Sequence, residues 1–102
     1  MLDSLEARLL ENPFYGEPVR GEEYKYPRGR DGEIDLYAPH KHTVFVFEAK
    51  SGFKESSYDK AREQLRRGAL YLVREYGYRQ AVLFSYTAKY GLRYEGKTKR
   101  FW

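Results

Sequence analysis

A single α/β domain, with a mixed sheet flanked by helices, is the fold class this sequence predicts, and three observations carry it. Two stretches place apolar residues three and four positions apart, the spacing of an amphipathic helix. Between and after them lie runs rich in β-branched and aromatic residues, bounded by Gly, Pro and Asp, which read as strands. The 102 residues suffice for one domain, 1–102, with a modest core.

The elements follow in order. Asp3 to Glu11 reads as a helix with Leu2, Leu5 and Leu9 on its apolar stripe and Leu10 beside it; Asn12-Pro13 ends it. Tyr15 to Tyr26 reads as loop and strand, and Pro27-Arg28-Gly29-Arg30-Asp31-Gly32 as a turn. Gly32 to Tyr37 and Thr43 to Lys50 form an antiparallel hairpin around a turn at Ala38-Pro39-His40-Lys41-His42. Ser56-x-x-Asp59 is a capping box that opens a second helix, running to Tyr76 and stopped by Gly77, with Ala61, Leu65, Ala69, Leu72 and Tyr76 on its buried side. Gln80 to Tyr86 returns as a strand, and strand–helix–strand calls for a crossover onto the same sheet. Tyr90 to Trp102 reads as a final hairpin turning at Glu95-Gly96-Lys97. The order is αβββαβ, with neither repeat nor linker.

Composition narrows the function. Without cysteine there is no disulfide framework and no thiolate metal site. No run approaches the ~18 apolar residues of a membrane span and the N-terminus lacks a signal-peptide core, so the expectation is a cytoplasmic protein with no membrane partner. Nineteen Lys and Arg against fifteen acids leave a net charge of +4. Arg20, Lys25, Arg28 and Arg30 lead into the hairpin, and Lys60, Arg62, Arg66, Arg67 and Arg74 mark the second helix. Such a basic surround suits a polyanion bound through its phosphates. Of the eleven tyrosines and six phenylalanines, Phe45, Phe47 and Phe84 belong to the core. Tyr24, Tyr26, Tyr58 and Tyr90 are available for stacking on bases or for a subunit interface, although ordinary packing is the expectation for most of them.

The chemistry sits in the hairpin. Glu48 and Lys50 lie two apart on one strand and project together, and Asp35 on the neighbouring strand can meet them. Val44 to Phe47 is apolar on both faces and reads as a buried central strand, so charges at its end must line a cleft, pair, or bind something. Mg²⁺ takes oxygen ligands, one or two carboxylates with water and substrate phosphate completing its shell. Asp35, Glu48 and the Ala49 carbonyl offer such oxygens, and a partly desolvated Lys50 beside a cation is suited to orient or deprotonate an attacking water. His40 and His42, in a turn with no cysteine and no third histidine, do not make a zinc site.

With Asp35 followed by Glu48-Ala49-Lys50 on successive strands, the chain resembles the PD-(D/E)XK nuclease superfamily, which includes restriction endonucleases, RecB-type nucleases and archaeal Holliday-junction resolvases. Ile34 stands where the name-giving proline would be, and the sharp motif spans only Gly32 to Gly52. The resemblance implies a restriction-endonuclease-like αβββαβ core and a metal-dependent DNA endonuclease, with Mg²⁺ as cofactor and Mn²⁺ as its substitute. The small, basic, dimeric Holliday-junction resolvases are the branch most like it. It further implies a glutamate from the first helix, Glu6 with Glu11 as alternate, and a glutamine on the second helix, Gln64. In the RecB-type QxxxY pattern the tyrosine position is here Gly68, and Tyr71 falls one turn later. Arg28, Arg30, Ser51, Arg62 and Arg66 are the candidate phosphate contacts.

A homodimer is expected because 102 residues bury little surface alone, and Phe101-Trp102 would pack on the sheet or across the dimer. Two rival functions are a nuclease-fold module that binds nucleic acid or assembles without cutting, and a protein-interaction domain built on the tyrosines. Two retained acids facing a polyanion argue against the first.

Overall fold

The computed structural model describes residues 2–25, 31–50 and 55–99, with side chains for all of these except 55–59 and 99. These residues form helix α1 (Leu2–Glu11), strands β1 (Val19–Lys25), β2 (Asp31–His40) and β3 (Thr43–Ala49), helix α2 (Glu55–Tyr76), and strands β4 (Gln80–Thr87) and β5 (Gly91–Lys99). The strands make one sheet in the order β1-β2-β3-β4-β5, antiparallel except for the parallel pair β3–β4 joined by α2. The α/β class, the mixed sheet and the crossover stand as the sequence implied.

The two helices lie on opposite faces, and the alternation of β3 assigns the layers. Val44 and Val46 point toward α2, where they pack with Leu65, Ala69, Leu72, Val73, Ala81 and Leu83. Phe45 and Phe47 point the other way, toward Leu5 and Leu9 of α1. Full burial of side chains such as Leu72 and Phe47 stabilises the fold by about 1.5–3 kcal/mol each. Gly68 allows α2 to lie close on β2: a Cβ there would stand 3.0 Å from Ile34 Cγ1. A larger side chain at Gly68 would therefore press on Ile34.

Several expectations are corrected. The β2–β3 turn is two residues, Lys41 and His42, with Lys41 at φ 54°, because β2 continues through Pro39 to His40. Proline fits there because β1 pairs no further along β2 than Tyr37, and the Pro39 carbonyl accepts instead from Gly16 N at 2.7 Å. The last segment is not a hairpin: β5 runs unbroken, and Glu95-Gly96 forms a β-bulge, with Leu83 paired to Gly96 but Phe84 to Tyr94. A turn and a bulge ask for the same glycine, here at φ 130°, so composition could not separate them. The backbone is already helical at Glu55, one residue before the Ser56 expected as cap. Leu10 is exposed, as is Tyr76, whose hydroxyl leaves the core stripe to donate to Glu22 on β1. Tyr24, offered for base stacking, is buried and stacks on Tyr71 with ring centroids 5.0 Å apart. Tyr26, the Tyr58 side chain and Phe101-Trp102 lie outside the described residues.

Tyr24 yields a stability test. A Cβ on Gly32 would lie 2.8 Å from Tyr24 Cε2 and nearer still to the hydroxyl end of that ring. The ring stacks on Tyr71, so moving it aside would cost that contact. Gly32→Ala is expected to destabilise the protein by about 1–3 kcal/mol, read from urea unfolding; an unchanged midpoint would show that the ring moves freely.

Candidate functional site

A break in the pleat positions Asp35. On a regular strand residues two apart share a face. Here Ile34 packs under α2 while Leu36 packs under α1. The same flip occurs across the ladder in β1: Arg20 turns toward Asp3 and Glu6 of α1, whereas Glu22 turns toward Tyr37 and Tyr76 on the other side. Gly21, between them at φ 68°, supplies a backbone that a side-chain-bearing residue would rarely adopt. The kink leaves Asp35 at the point where β2 and β3 stop pairing, their last rung being Leu36 with Phe47. There the Asp35 carboxylate takes over from the backbone ladder: Ala49 N donates to Asp35 Oδ2 at 2.9 Å.

Glu48, one step beyond the last rung, therefore meets Asp35. The Glu48 carboxyl is pushed up to about 8. Burial is the main cause and the Asp35 charge the next; Glu33 adds to it and Lys50 opposes it. Lys50 is buried at the end of β3, its amide donating to Tyr86 O at 2.9 Å so that the parallel ladder continues one step past Ala49. Burial lowers the Lys50 ammonium from its usual range, while Glu95 and Glu48 pull it back up. Two acids and one amine thus converge at the carboxyl ends of the parallel strands, where open α/β sheets present their crevice.

The other expected residues are distributed differently. Glu6 lies 3.9 Å from Arg20 Nη1, and Glu11 is exposed at the end of α1; the further acid acting on Glu48 is Glu33 of β2. Gln64 is exposed and lines a groove with Tyr24, Gly32 and Glu33, beside the acid pair rather than on it. Arg62 reaches Glu95 at 3.8 Å, and Arg66 is exposed on α2. Arg28, Arg30 and Ser51 lie outside the described residues. His40 stacks on Phe14 at 3.7 Å, with Nδ1 2.6 Å from the Phe14 carbonyl.

Sequence reasoning missed the far half of the site. Ser85 of β4 pairs with Glu48 on one side and Arg93 of β5 on the other, which makes a polar row across the α2 face of the sheet. Its hydroxyl is fully buried without a hydrogen-bond partner among the described residues. Glu95 points into the same layer from the bulge, its side chain only 2 % exposed. A serine amid Ala81-Val82-Leu83-Phe84 was the one available signal for β4; Glu95 carried none once its neighbourhood was read as a turn.

No protein-family model matches the chain, and no curated protein or solved structure matches it either.

Proposed function

We propose that this protein is a metal-dependent endonuclease of the PD-(D/E)XK type, with a restriction-endonuclease-like core, that hydrolyses phosphodiester bonds in DNA. The observation that carries this reading is the Asp35–Glu48 pair, with the Glu48 carboxyl pushed up by burial and by the Asp35 charge, and Lys50 buried beside it. A pair held this way costs stability at neutral pH and gains a use when a cation displaces the proton. Among the described residues no group of three or more His, Cys, Asp or Glu assembles. Two carboxylates are nonetheless the usual protein share for Mg²⁺, which keeps waters and takes substrate phosphate. Asp35, Glu48 and the Ala49 carbonyl would hold Mg²⁺, or Mn²⁺ in its place; the bound ion supplies charge stabilisation for in-line attack of water on phosphorus. Lys50 orients that water and removes or relays its proton. The element order α1-β1-β2-β3-α2-β4 supports an αβββαβ core, and a structure-selective activity like that of the Holliday-junction resolvases is the branch proposed.

The test is metal-dependent cleavage across duplex, single-stranded, flapped and four-way DNA. Cutting of any of these that EDTA abolishes supports the reading, and no cutting of any leaves the non-cutting module in its place.

A second copy of the chain is the proposed partner. Among the described residues α1 packs on β2, and on its side of the sheet β4 and β5 present Phe84, Tyr86, Leu92 and Tyr94, of which Leu92 and Tyr94 are about half exposed. A two-fold pairing of this face would cover them and set two sites against two strands. Sedimentation at tens of micromolar is expected to show a dimer that Tyr94→Glu converts to monomer. A wild-type monomer would refute it and favour cleavage of one strand at a time. No helix among the described residues is long and apolar enough to cross a membrane.

A further inference from the structure

The β5 bulge puts a carboxylate where none is needed for the sheet. Glu95 is the extra residue between the Phe84–Tyr94 and Leu83–Gly96 rungs, and the bulge turns its side chain inward to near-complete burial. A buried carboxylate must be paired. Its partners are Arg93, whose Nε stands 3.4 Å from Oε1, and Arg62 of α2, whose Nε stands 3.8 Å from Oε2. The buried Lys50 ammonium also feels its charge. Both arginine side chains remain about half in solvent, 48 % and 57 % exposed. They come from different layers, one from the helix and one from the edge strand, and Glu95 is the group that ties them together.

The position relative to the acid pair is set by the ladder. Arg93 pairs with Ser85, and Ser85 with Glu48. Arg93 therefore lies two strand spacings from Glu48, about 9–10 Å. That backbone offset places Arg93 beside the acids rather than on them, suited to a neighbouring phosphate of the same backbone. We infer that Arg62 and Arg93, held by the buried Glu95, form a phosphate-binding subsite for the DNA backbone next to the Asp35–Glu48 pair. The inference rests on the nuclease reading for its substrate. Glu95 is a positioning residue: it touches no phosphate, but aims the two guanidiniums.

The experiment measures binding of a labelled DNA duplex by fluorescence anisotropy in EDTA over a series of salt concentrations, with cleavage in Mg²⁺ measured in parallel. Arg62→Gln and Arg93→Gln are each expected to lower the slope of log affinity against log salt by about 0.9, the share of one phosphate contact. Arg93→Lys keeps the charge and the exposed position but loses the planar fork, so it is expected to keep most of the slope and lose cleavage about tenfold. Glu95→Gln separates aiming from mere charge. A passive acid would only repel DNA, so its removal would tighten binding and leave cutting intact, which overturns the positioning role. Aiming predicts slower cutting with no gain in affinity. If Glu95→Gln unfolds, the exposed arginine variants still decide. A wild type that cuts DNA, with slopes unchanged in both glutamine variants, overturns the subsite and leaves the nuclease reading standing. A wild type that binds but does not cut, with both slopes reduced, overturns the nuclease reading and leaves the subsite standing.

Discussion

Glu48→Gln is expected to abolish metal-dependent cleavage, by about 10³-fold or more, and at the same time to stabilise the metal-free protein. The two effects have opposite signs because one group causes both. In the metal-free fold the Glu48 carboxyl is pushed from its ordinary 4.5 up to about 8, first by burial and then by Asp35. Between these values the unfolded chain has released the proton and the folded chain still holds it. Folding stability then falls as pH rises through the window, and the loss is complete above about 8. A neutral glutamine removes that slope. The variant is expected to be more stable than wild type by about 2 kcal/mol or more above pH 8, and equal to it below the ordinary carboxyl range. Thermal unfolding in EDTA across this pH range reads the effect; a glutamine variant less stable at alkaline pH would refute the raised Glu48 carboxyl. Cation binding must displace the same proton, so Mg²⁺ affinity is expected to rise with pH through the same window and to vanish in Glu48→Gln and Asp35→Asn. Calorimetry with unchanged Mg²⁺ or Mn²⁺ affinity in both variants would remove the metal from the proposal.

Lys50 is expected to separate the chemistry from the cation. Lys50→Met retains most of the apolar stem of a buried side chain and removes only the amine, which is why it is preferred to alanine. Cutting is expected to fall by about 10²–10⁴-fold while DNA affinity changes little, the signature of a group acting in the transition state. Metal affinity should hold or rise slightly, because Lys50 contributes a positive charge beside the acids. A variant that cuts at the wild-type rate would reduce Lys50 to the closing charge of β3.

Much of the architecture was legible because it rests on local rules. The apolar spacing of Leu5 and Leu9, and of Leu65, Ala69 and Leu72, identifies buried helix faces without knowledge of what covers them. The alternation of Val44 to Phe47 followed by Glu48 and Lys50 dictates that both charges face one layer at the end of a central strand. Hairpin pairing then brings Asp35 opposite Glu48, because two adjacent strands leave few registers.

What the sequence could not carry was every feature made by backbone irregularity or by distance along the chain. The paired flip at Gly21 and Asp35 reverses the period-two rule just where the site needs it, and nothing local distinguishes that glycine from any other. The turn assigned to Glu95-Gly96 is a bulge because β4 is long enough to pair through it, a fact about β4 and not about those two residues. Asp35, Glu48 and Lys50 lie within one hairpin, so short-range spacing sufficed to join them. Ser85, Arg93 and Glu95 reach them only through a parallel crossover and a bulge, and Arg62 only through the seating of α2. The sequence by itself determined the fold class and the acidic half of the site, because hydrophobic periodicity is local; the tertiary structure alone decided the basic half, because charges far apart in sequence meet only after the sheet has closed over its core.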